Sequence, residues 1–327
     1  MSKLEKLKAI HTLEKDLSQD QLIDLLKKID VKPSEYQNRI KGIYKENEFL
    51  IVLKSLNIVK SIIKTDEAPN RLFGMNTTDI ELELSNGNKL LVEIKSKNIN
   101  KSNEISFSTQ YLNSLEEFAN SKDLEVVFVV CILNFWMAFK LEYVKQNNNK
   151  ISIDDYGCSI LDEVFGLQSY VFFKGIEMKT VYCKSKMDSL INHNKYGGLV
   201  SQTLIYKGKK IYKYNGKNNL NFLLCCEELH SRLEETNIIS REDYTTEMRG
   251  IKNSEAIVIQ EIDMVLSTIY HSVDDNNKPI FIDEEVNQSA KNNKHYFNVA
   301  QYRKMFDEFS KLGLYYLIIR DSKLYRK

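Results

Sequence analysis

Residues 77–97 read TTDIELELSNGNKLLVEIKSK, which predicts two short strands joined by a turn at Asn86-Gly87. A two-residue turn would pair Ile80 with Glu93 and would mix apolar and charged side chains on one face. A three-residue loop, with Gly87 as its left-handed residue, instead collects the apolar side chains of both strands on one face. Because the buried face determines strand register, we expect the three-residue loop.

This register places Asp79 directly opposite Glu93, with Cβ atoms about 5 Å apart. Lys95 lies two residues beyond Glu93 and therefore points to the same face. Two carboxylates at this distance repel each other unless a positive charge lies between them. Carboxylate oxygens are typical ligands of Mg²⁺, so the pattern predicts an Mg²⁺ site at which Mn²⁺ can substitute. The alternative is an exposed acidic strand face with a solvated Lys95.

The composition limits the classes of protein that need to be considered. The 327 residues carry a net charge of +1, so nucleic-acid binding would depend on a local basic patch. The sequence contains no apolar run of roughly 18 residues and no secretion signal at its start, and its five cysteines form no Cys-x-x-Cys pair. We therefore expect a cytoplasmic protein with reduced thiols and no membrane association. No motif for a small-molecule cofactor is evident.

The pattern along the chain predicts three parts. Residues 1–33 form a helical segment, residues 34–147 a mixed α/β domain, and residues 148–327 a C-terminal α+β domain. The polar run at 146–150 marks the second boundary. In the C-terminal part, residues 254–270 are predicted to form one helix, and a helix that stops at Gly313 is followed by a hairpin. That ending fits either a winged helix or a generic α+β packing.

Glu46 lies in the middle of the apolar face of a helix predicted to open with a capping box at Ser34 and to end near Leu56. At 100° per residue, four apolar side chains lie within about 60° of it: Ile43, Phe49, Leu50 and Leu53. An unpaired carboxylate in that position would be costly. Glu46 therefore either meets a buried Lys or Arg, or reaches the predicted metal. Glu48 lies about 200° away, outside the apolar stripe.

These elements, taken in order, resemble the PD-(D/E)xK nuclease superfamily, and within it archaeal-type Holliday-junction resolvases and some restriction enzymes. KGIYKENEFLIVL resembles the opening helix, with Gly42 followed four residues later by Glu46. TTDI resembles the strand that carries the motif Asp, although Thr78 replaces the usual Pro. VEIKSK resembles the Glu-x-Lys motif, and Gln110 resembles a Gln at the start of the next helix. VVFVVCIL and WMAF resemble the strands that follow.

The resemblance implies a fold and a set of roles. The fold class would be α/β with a restriction-endonuclease-like core, in which a central mixed sheet is flanked by helices. Asp79, Glu93 and the Ile94 backbone carbonyl would hold the metal, with Glu46 assisting the metal or its water shell. Lys95 would position or help to deprotonate water, and Gln110 would complete the catalytic group. Residues 34–147 would then be a Mg²⁺-dependent DNA endonuclease, plausibly in restriction or phage defence, and the protein a homodimer.

Three alternatives stay open at this point. The same fold could belong to a Holliday-junction resolvase or to an RNA-cutting nuclease. The chain could also be a non-catalytic nucleic-acid-binding subunit with a vestigial site, or an interaction protein. A second Glu-x-Lys, Glu177 to Lys179, has no matching turn or acid-bearing helix and is interpreted as chance.

The stretch YKGKKIYKYNGK at 206–217 alternates lysines with tyrosines. This mixture suits phosphate contacts combined with base stacking. Alternatively, it is an edge hairpin whose lysines prevent aggregation. The lysines predicted to contact nucleic acid, here and near the motif, are Lys97, Lys207, Lys209, Lys210, Lys213 and Lys217.

Overall fold

The computed structural model describes residues 3–65, 77–97, 103–186, 192–215, 229–270, 299–320 and 323–326. The chain divides into two compact units, Met1–Tyr156 and Gly157–Lys327. Among the described residues, no helix is both long enough and apolar enough to span a membrane.

Three helices open the first unit: α1 (Lys3–Leu13), α2 (Gln19–Lys28) and α3 (Pro33–Ser55). Ser18 caps α2 in a capping box with Gln21, as its position in the sequence predicts. The capping box predicted at Ser34 is wrong, because the N-cap is Lys32, two residues earlier, and α3 begins with Pro33. Proline suits that place because the first helical N–H has no partner within the helix.

A five-stranded mixed sheet forms the centre of the first unit. Its order is β1-β2-β3-β5-β6, and the β3/β5 pair is parallel whereas the other pairs are antiparallel. The elements after α3 are β1 (Val59–Lys64), β2 (Ile80–Leu84), β3 (Lys89–Lys97), β4 (Glu104–Ser106), α4 (Thr109–Lys122), β5 (Glu125–Ile132), β6 (Phe135–Lys140), α5 (Leu141–Gln146) and β7 (Lys150–Ser152). Short strands β4 and β7 pair with each other, so residues 150–152 belong to this unit.

Helices cover both faces of this sheet. Phe49 of α3 stacks on Trp136 of β6 with ring centroids 5.6 Å apart. On the opposite face, Leu112 and Leu115 of α4 pack in one buried cluster with Leu91. The predicted fold class, a central mixed sheet flanked by helices in an α/β core, is confirmed. The near-continuous apolar sequence of β5 follows from this arrangement, because both of its faces are buried.

The β2–β3 hairpin has the predicted three-residue register. Ile80 pairs with Val92, and Leu82 pairs with Leu90. Gly87 closes the loop with a φ of +90°, and its N–H donates to the Leu84 carbonyl at 2.9 Å. This register therefore brings Asp79, which lies just before β2, next to Glu93 on β3.

The second unit has an α+β architecture. Its elements are α6 (Leu161–Phe165), β8 (Ser169–Phe173), β9 (Ile176–Cys183), β10 (Asn192–His193), β11 (Gly197–Tyr206), β12 (Lys209–Tyr214), β13 (Glu234–Arg241), β14 (Tyr244–Gly250), β15 (Ala256–Gln260), α7 (Glu261–Tyr270), α8 (Val299–Lys311), β16 (Tyr316–Arg320) and β17 (Lys323–Arg326). One sheet has the order β10-β11-β9-β14-β13 with β12 beside β11, and a second has the order β15-β8-β16-β17. The C-terminal α+β prediction is confirmed.

Two details of this unit differ from or refine the sequence predictions. The single helix predicted over 254–270 is wrong, because residues 256–260 form β15 and pair with β8. The β-branched run Ile257, Val258 and Ile259 suits that buried strand. The final helix does stop at Gly313, where φ is +104°, and a hairpin follows. That hairpin joins the β8 sheet, which is the generic α+β packing and not a winged helix.

An ion pair between the buried Glu261 carboxylate and the partly exposed Arg303 secures the second unit. Arg303 of α8 donates two hydrogen bonds of 2.8 Å to Glu261 at the start of α7. The Tyr170 hydroxyl and the Gln168 backbone N–H donate to the same carboxylate at 2.8 and 2.9 Å. A buried charge is tolerated when its hydrogen bonds are satisfied in this way. The pair fixes both helices against β8.

The turn geometry predicts the effect of substituting Gly87. Gly87→Ala should lower the free energy of unfolding by about 1–2 kcal/mol, because alanine is strained at this positive φ. Gly42→Ala in the interior of α3 is the matched control, since an added Cβ there meets no atom within 4 Å. It should raise stability by up to about 1 kcal/mol. Urea denaturation of both variants measures the difference, and equal effects would contradict the assigned turn.

Candidate metal and catalytic site

Asp79, Glu93 and Lys95 converge at one point of the β2–β3 hairpin. The Asp79 backbone N–H donates to Glu93 Oε2 at 3.1 Å, and the Ile94 N–H donates to Asp79 Oδ2 at 2.7 Å. Lys95 Nζ lies 2.5 Å from Glu93 Oε1 and 3.4 Å from Asp79 Oδ2. The predicted juxtaposition of the two carboxylates is confirmed. In this arrangement the Lys95 ammonium supplies the positive charge between them.

Burial gives these groups unusual electrostatics. Glu93 is 1% exposed and Asp79 is 8% exposed. Burial raises the pKa of Glu93 to about 7; the Lys95 ammonium opposes this shift, and the Asp79 charge adds to it. Burial by itself would lower the pKa of Lys95, but the two carboxylates outweigh it and hold that pKa above its ordinary value. Lys95 therefore stays charged, and Glu93 can gain or lose a proton near neutral pH.

Tyr111 of α4 is a site residue that the sequence predictions missed. Its hydroxyl donates a hydrogen bond to Glu93 Oε1. Burial and the Glu93 charge both raise the pKa of Tyr111, so the phenol stays protonated. The predicted Gln110 is exposed and does not line the cleft described below. Helix phase explains the difference, since Tyr111 lies one turn before the buried Leu115 on the same face of α4.

The three motif residues form part of the lining of an open cleft with a volume of about 340 Å³. The other lining residues come from α3, from the ends of β2 and β3, and from α4: Asn38, Arg39, Gly42, Ile43, Glu46, Thr77, Ile94, Ser96 and Tyr111. Glu46 thus lies in the same cleft as Asp79 and Glu93, as its phase on α3 predicts. Glu48 instead makes a 2.6 Å ion pair with Lys45.

The donor set fits a hard divalent cation. Within the described residues, no three Asp, Glu, His or Cys side chains are grouped closely enough to hold a metal ion by themselves. Asp79 and Glu93 therefore offer two carboxylates, which a backbone carbonyl such as that of Ile94 and water would have to supplement. Mg²⁺ is commonly bound by one or two carboxylates while it keeps several waters. A role for Glu46 through that water shell agrees with its place in the cleft.

Three of the six predicted nucleic-acid lysines make contacts within the protein. Lys97 Nζ donates to the Glu104 carbonyl at 2.7 Å and ties β3 to β4. Lys209 Nζ donates to the Leu312 carbonyl at 3.2 Å, just beyond the end of α8. Lys207 Nζ lies 5.4 Å from the Tyr206 ring centroid. Lys210 and Lys213 are exposed on β12, and Lys217 lies outside the described residues.

The tyrosines between those lysines are not placed for base stacking. Tyr206 and Tyr214 are buried in the core of the second unit, and Tyr212 packs against Phe309. The stacking part of the nucleic-acid prediction is therefore wrong. Tyr206 ends β11 and Tyr214 ends β12, and both side chains are buried at these strand ends.

Comparisons with known proteins give matches among solved structures. No protein-family profile matches the chain, and no curated protein matches its sequence. Among solved structures, the chain is similar to Hjc, a Holliday junction resolvase from Archaeoglobus fulgidus, at 21% identity and a TM-score of 0.31. The match covers 38% of this chain and 96% of that one.

The raised pKa of Glu93 predicts a pH dependence of stability. Between its ordinary value of 4.5 and about 7, the folded metal-free protein binds more protons at Glu93 than the unfolded chain does. The contribution of Glu93 to the free energy of unfolding therefore falls as pH rises through this window. Glu93→Gln should flatten the profile there, whereas Glu125→Gln on the exposed end of β5 should leave it unchanged. Urea denaturation across the window tests this, and an unaltered slope in Glu93→Gln would refute it.

Proposed function

We propose that the first unit is a metal-dependent endodeoxyribonuclease of the PD-(D/E)xK type. The observation that supports this proposal is the burial of Asp79 and Glu93, with Lys95 between them, against one open cleft. Removing charged groups from water is expensive, and a protein that needed only stability could fill the same space with apolar side chains. Perturbed ionisable groups that line a cleft are typical of functional sites. Two facing carboxylates can hold a cation for metal-assisted hydrolysis of a phosphodiester, and an ammonium beside them can bind the attacking water or a phosphate oxygen.

A bound Mg²⁺ would supply Lewis-acid stabilisation of the phosphate charge and a water of lowered pKa. In this chain, Asp79 and Glu93 would hold the cation, together with the Ile94 carbonyl. The Tyr111 hydroxyl would fix the orientation of the Glu93 carboxylate. Lys95 Nζ has three donors and would hold the attacking water or a non-bridging phosphate oxygen. Glu46, on the opposite wall of the cleft, would orient waters around the site.

The proposal also covers the substrate, the oligomeric state and the biological role. We expect double-stranded DNA as substrate, a homodimer in solution, and a role in restriction or phage defence. Competition among linear duplex, branched DNA and RNA distinguishes these from a junction resolvase and from an RNA-cutting enzyme. In the metal-free protein, the Lys95 ammonium already offsets part of the carboxylate charge, so the site does not need a cation. This also fits a non-catalytic nucleic-acid-binding subunit. Failure of the folded protein to bind Mn²⁺ would favour that second candidate.

The first test distinguishes the proposed metal ligands, Asp79 and Glu93, from Lys95, which is proposed to act on water or phosphate. Asp79→Ala and Glu93→Ala should abolish both Mn²⁺ binding, measured by calorimetry, and DNA cleavage. Lys95→Ala should retain Mn²⁺ binding but lose about 100-fold or more in cleavage rate, because it acts on water or phosphate. It should also leave two uncompensated carboxylates, so Mn²⁺ should raise its melting temperature more than that of the wild type.

The control for Lys95→Ala is Lys122→Ala, which breaks a 3.0 Å ion pair with Glu81 on the surface of the same sheet. Its Mn²⁺ binding and cleavage should match the wild type. Equal loss of Mn²⁺ binding in Asp79→Ala and Lys95→Ala would contradict the roles assigned to the two residues.

The second test concerns Glu46. Glu46→Gln should keep the fold and reduce cleavage at least about tenfold, because a neutral amide cannot accept protons or orient waters as a carboxylate does. Glu48→Gln is the matched change on the same helix and breaks the ion pair with Lys45. It should lower stability slightly and leave the cleavage rate of the folded protein unchanged. A larger cleavage defect in Glu48→Gln would show that the wrong acid has been assigned.

A further inference from the structure

One face of α3 forms a wall of the cleft over two helical turns. Arg39 and Glu46 are seven residues apart, so they lie nearly in phase, about 10 Å apart along the helix axis. Gly42 lies between them, and Asn38 and Ile43 flank this stripe. The cleft therefore extends well beyond the carboxylates, toward the N-terminal end of α3. Nothing in the roles of Asp79, Glu93 and Lys95 accounts for this extension.

Arg39 differs from the other cation of the cleft in how strongly it is paired. Among the described lining residues, the cationic side chains are Lys95 and Arg39. Lys95 is held between two carboxylates at 2.5 and 3.4 Å, whereas Arg39 is exposed and its Nε lies 3.9 Å from Glu35. A contact at that distance is weak at an exposed site. The Arg39 guanidinium thus remains available to a ligand, and its planar fork of donors matches the oxygens of a phosphate.

Gly42 leaves the helix backbone uncovered between Arg39 and Glu46. A Cβ added at this position meets no atom within 4 Å, so the protein's own packing does not require glycine there. Glycine inside a helix costs about 1 kcal/mol relative to alanine. A bare stretch of helix beside a cleft is the kind of place at which a ligand backbone can approach closely.

We propose that Arg39 binds a phosphate of the substrate strand a few nucleotides from the scissile phosphate, and that the strand runs past α3 across Gly42. The inference rests on the proposed function, because it takes the carboxylate site as the point of cleavage. At an axial rise of about 3.4 Å per nucleotide, 10 Å corresponds to two or three nucleotides. Arg39 is then a positioning residue that fixes where along the backbone the cut falls and contributes no discrimination among bases.

The experiment measures DNA affinity as a function of salt concentration. A fluorescein-labelled DNA duplex is titrated with full-length Glu93→Gln protein, which keeps the cleft shape without cleaving, and anisotropy is recorded at several salt concentrations. Adding Arg39→Ala should weaken binding about tenfold and reduce the slope of log affinity against log salt by about one. Arg39→Lys should restore most of the affinity. Lys41→Ala removes one exposed charge from the opposite side of α3 and should change affinity less than about twofold.

Cleavage and stability complete the test. In an otherwise wild-type protein, Arg39→Ala should raise KM about tenfold with little change in kcat, because the contact exists before the transition state. Gly42→Ala should raise the melting temperature and yet weaken DNA binding, a combination that a merely structural glycine would not give. If the Gly42→Ala protein is more stable and still binds DNA as tightly as the parent protein, the proposal that the strand runs across α3 is wrong.

The outcomes separate this inference from the proposed function. If the wild-type protein cleaves DNA but Arg39→Ala behaves like Lys41→Ala, the inference is wrong and the nuclease assignment stands. If the protein binds the duplex in an Arg39-dependent way but does not cleave it with Mg²⁺ or Mn²⁺, the phosphate contact of Arg39 stands, whereas the nuclease assignment and the point of cleavage fail. If the duplex is not bound even at low salt, both are wrong.

Discussion

The placement of two carboxylates on one buried strand face is the constraint on which the first unit depends. Asp79 and Glu93 can approach each other only if the hairpin has a three-residue loop, and that loop needs the positive φ of Gly87. Once together, the carboxylates need a counter-charge, and Lys95 on the same face supplies it. The strand register, the turn at Gly87 and the ion pair with Lys95 therefore act together to hold two like charges close to each other. A one-residue slip of β3 would turn Glu93 and Lys95 into the apolar layer and away from Asp79.

The helices on either side of the sheet add further side chains around this charged hairpin. α4 brings the Tyr111 hydroxyl to Glu93 while Leu112 and Leu115 seal the apolar layer behind it. α3 packs through Phe49 and continues past the sheet, so that Glu46 faces the cleft. One wall of the cleft thus comes from a helix whose other residues are fixed by the core. Rigid elements of this kind hold functional groups more reproducibly than loops do.

Much of this arrangement is predictable from the sequence, and the parts that are not have physical causes. The hairpin register and the phase of α3 follow from local periodicity, because a buried face admits only one choice. Tyr111 was missed in favour of Gln110, although the phase of Leu112 and Leu115 in α4 would have identified it. The sequence of residues 256–260 also fits a helix because short apolar runs fit either period, and the pairing of these residues with β8 is a tertiary effect. The burial of Tyr206 and Tyr214 likewise depends on contacts with distant strands.

The position of β8 has a consequence for how the protein folds. In the first unit, strands pair with partners that are close in sequence, as when Leu90 of β3 pairs with Glu125 of β5. In the second unit, Ser169 of β8 pairs with Ile319 of β16, and Arg303 reaches the Gly166 carbonyl across 137 residues. Contacts of high sequence separation carry a large loop-closure entropy and form slowly. During synthesis, the first unit can reach its native contacts early, whereas β8 must wait with an unpaired edge until the last strands have been made.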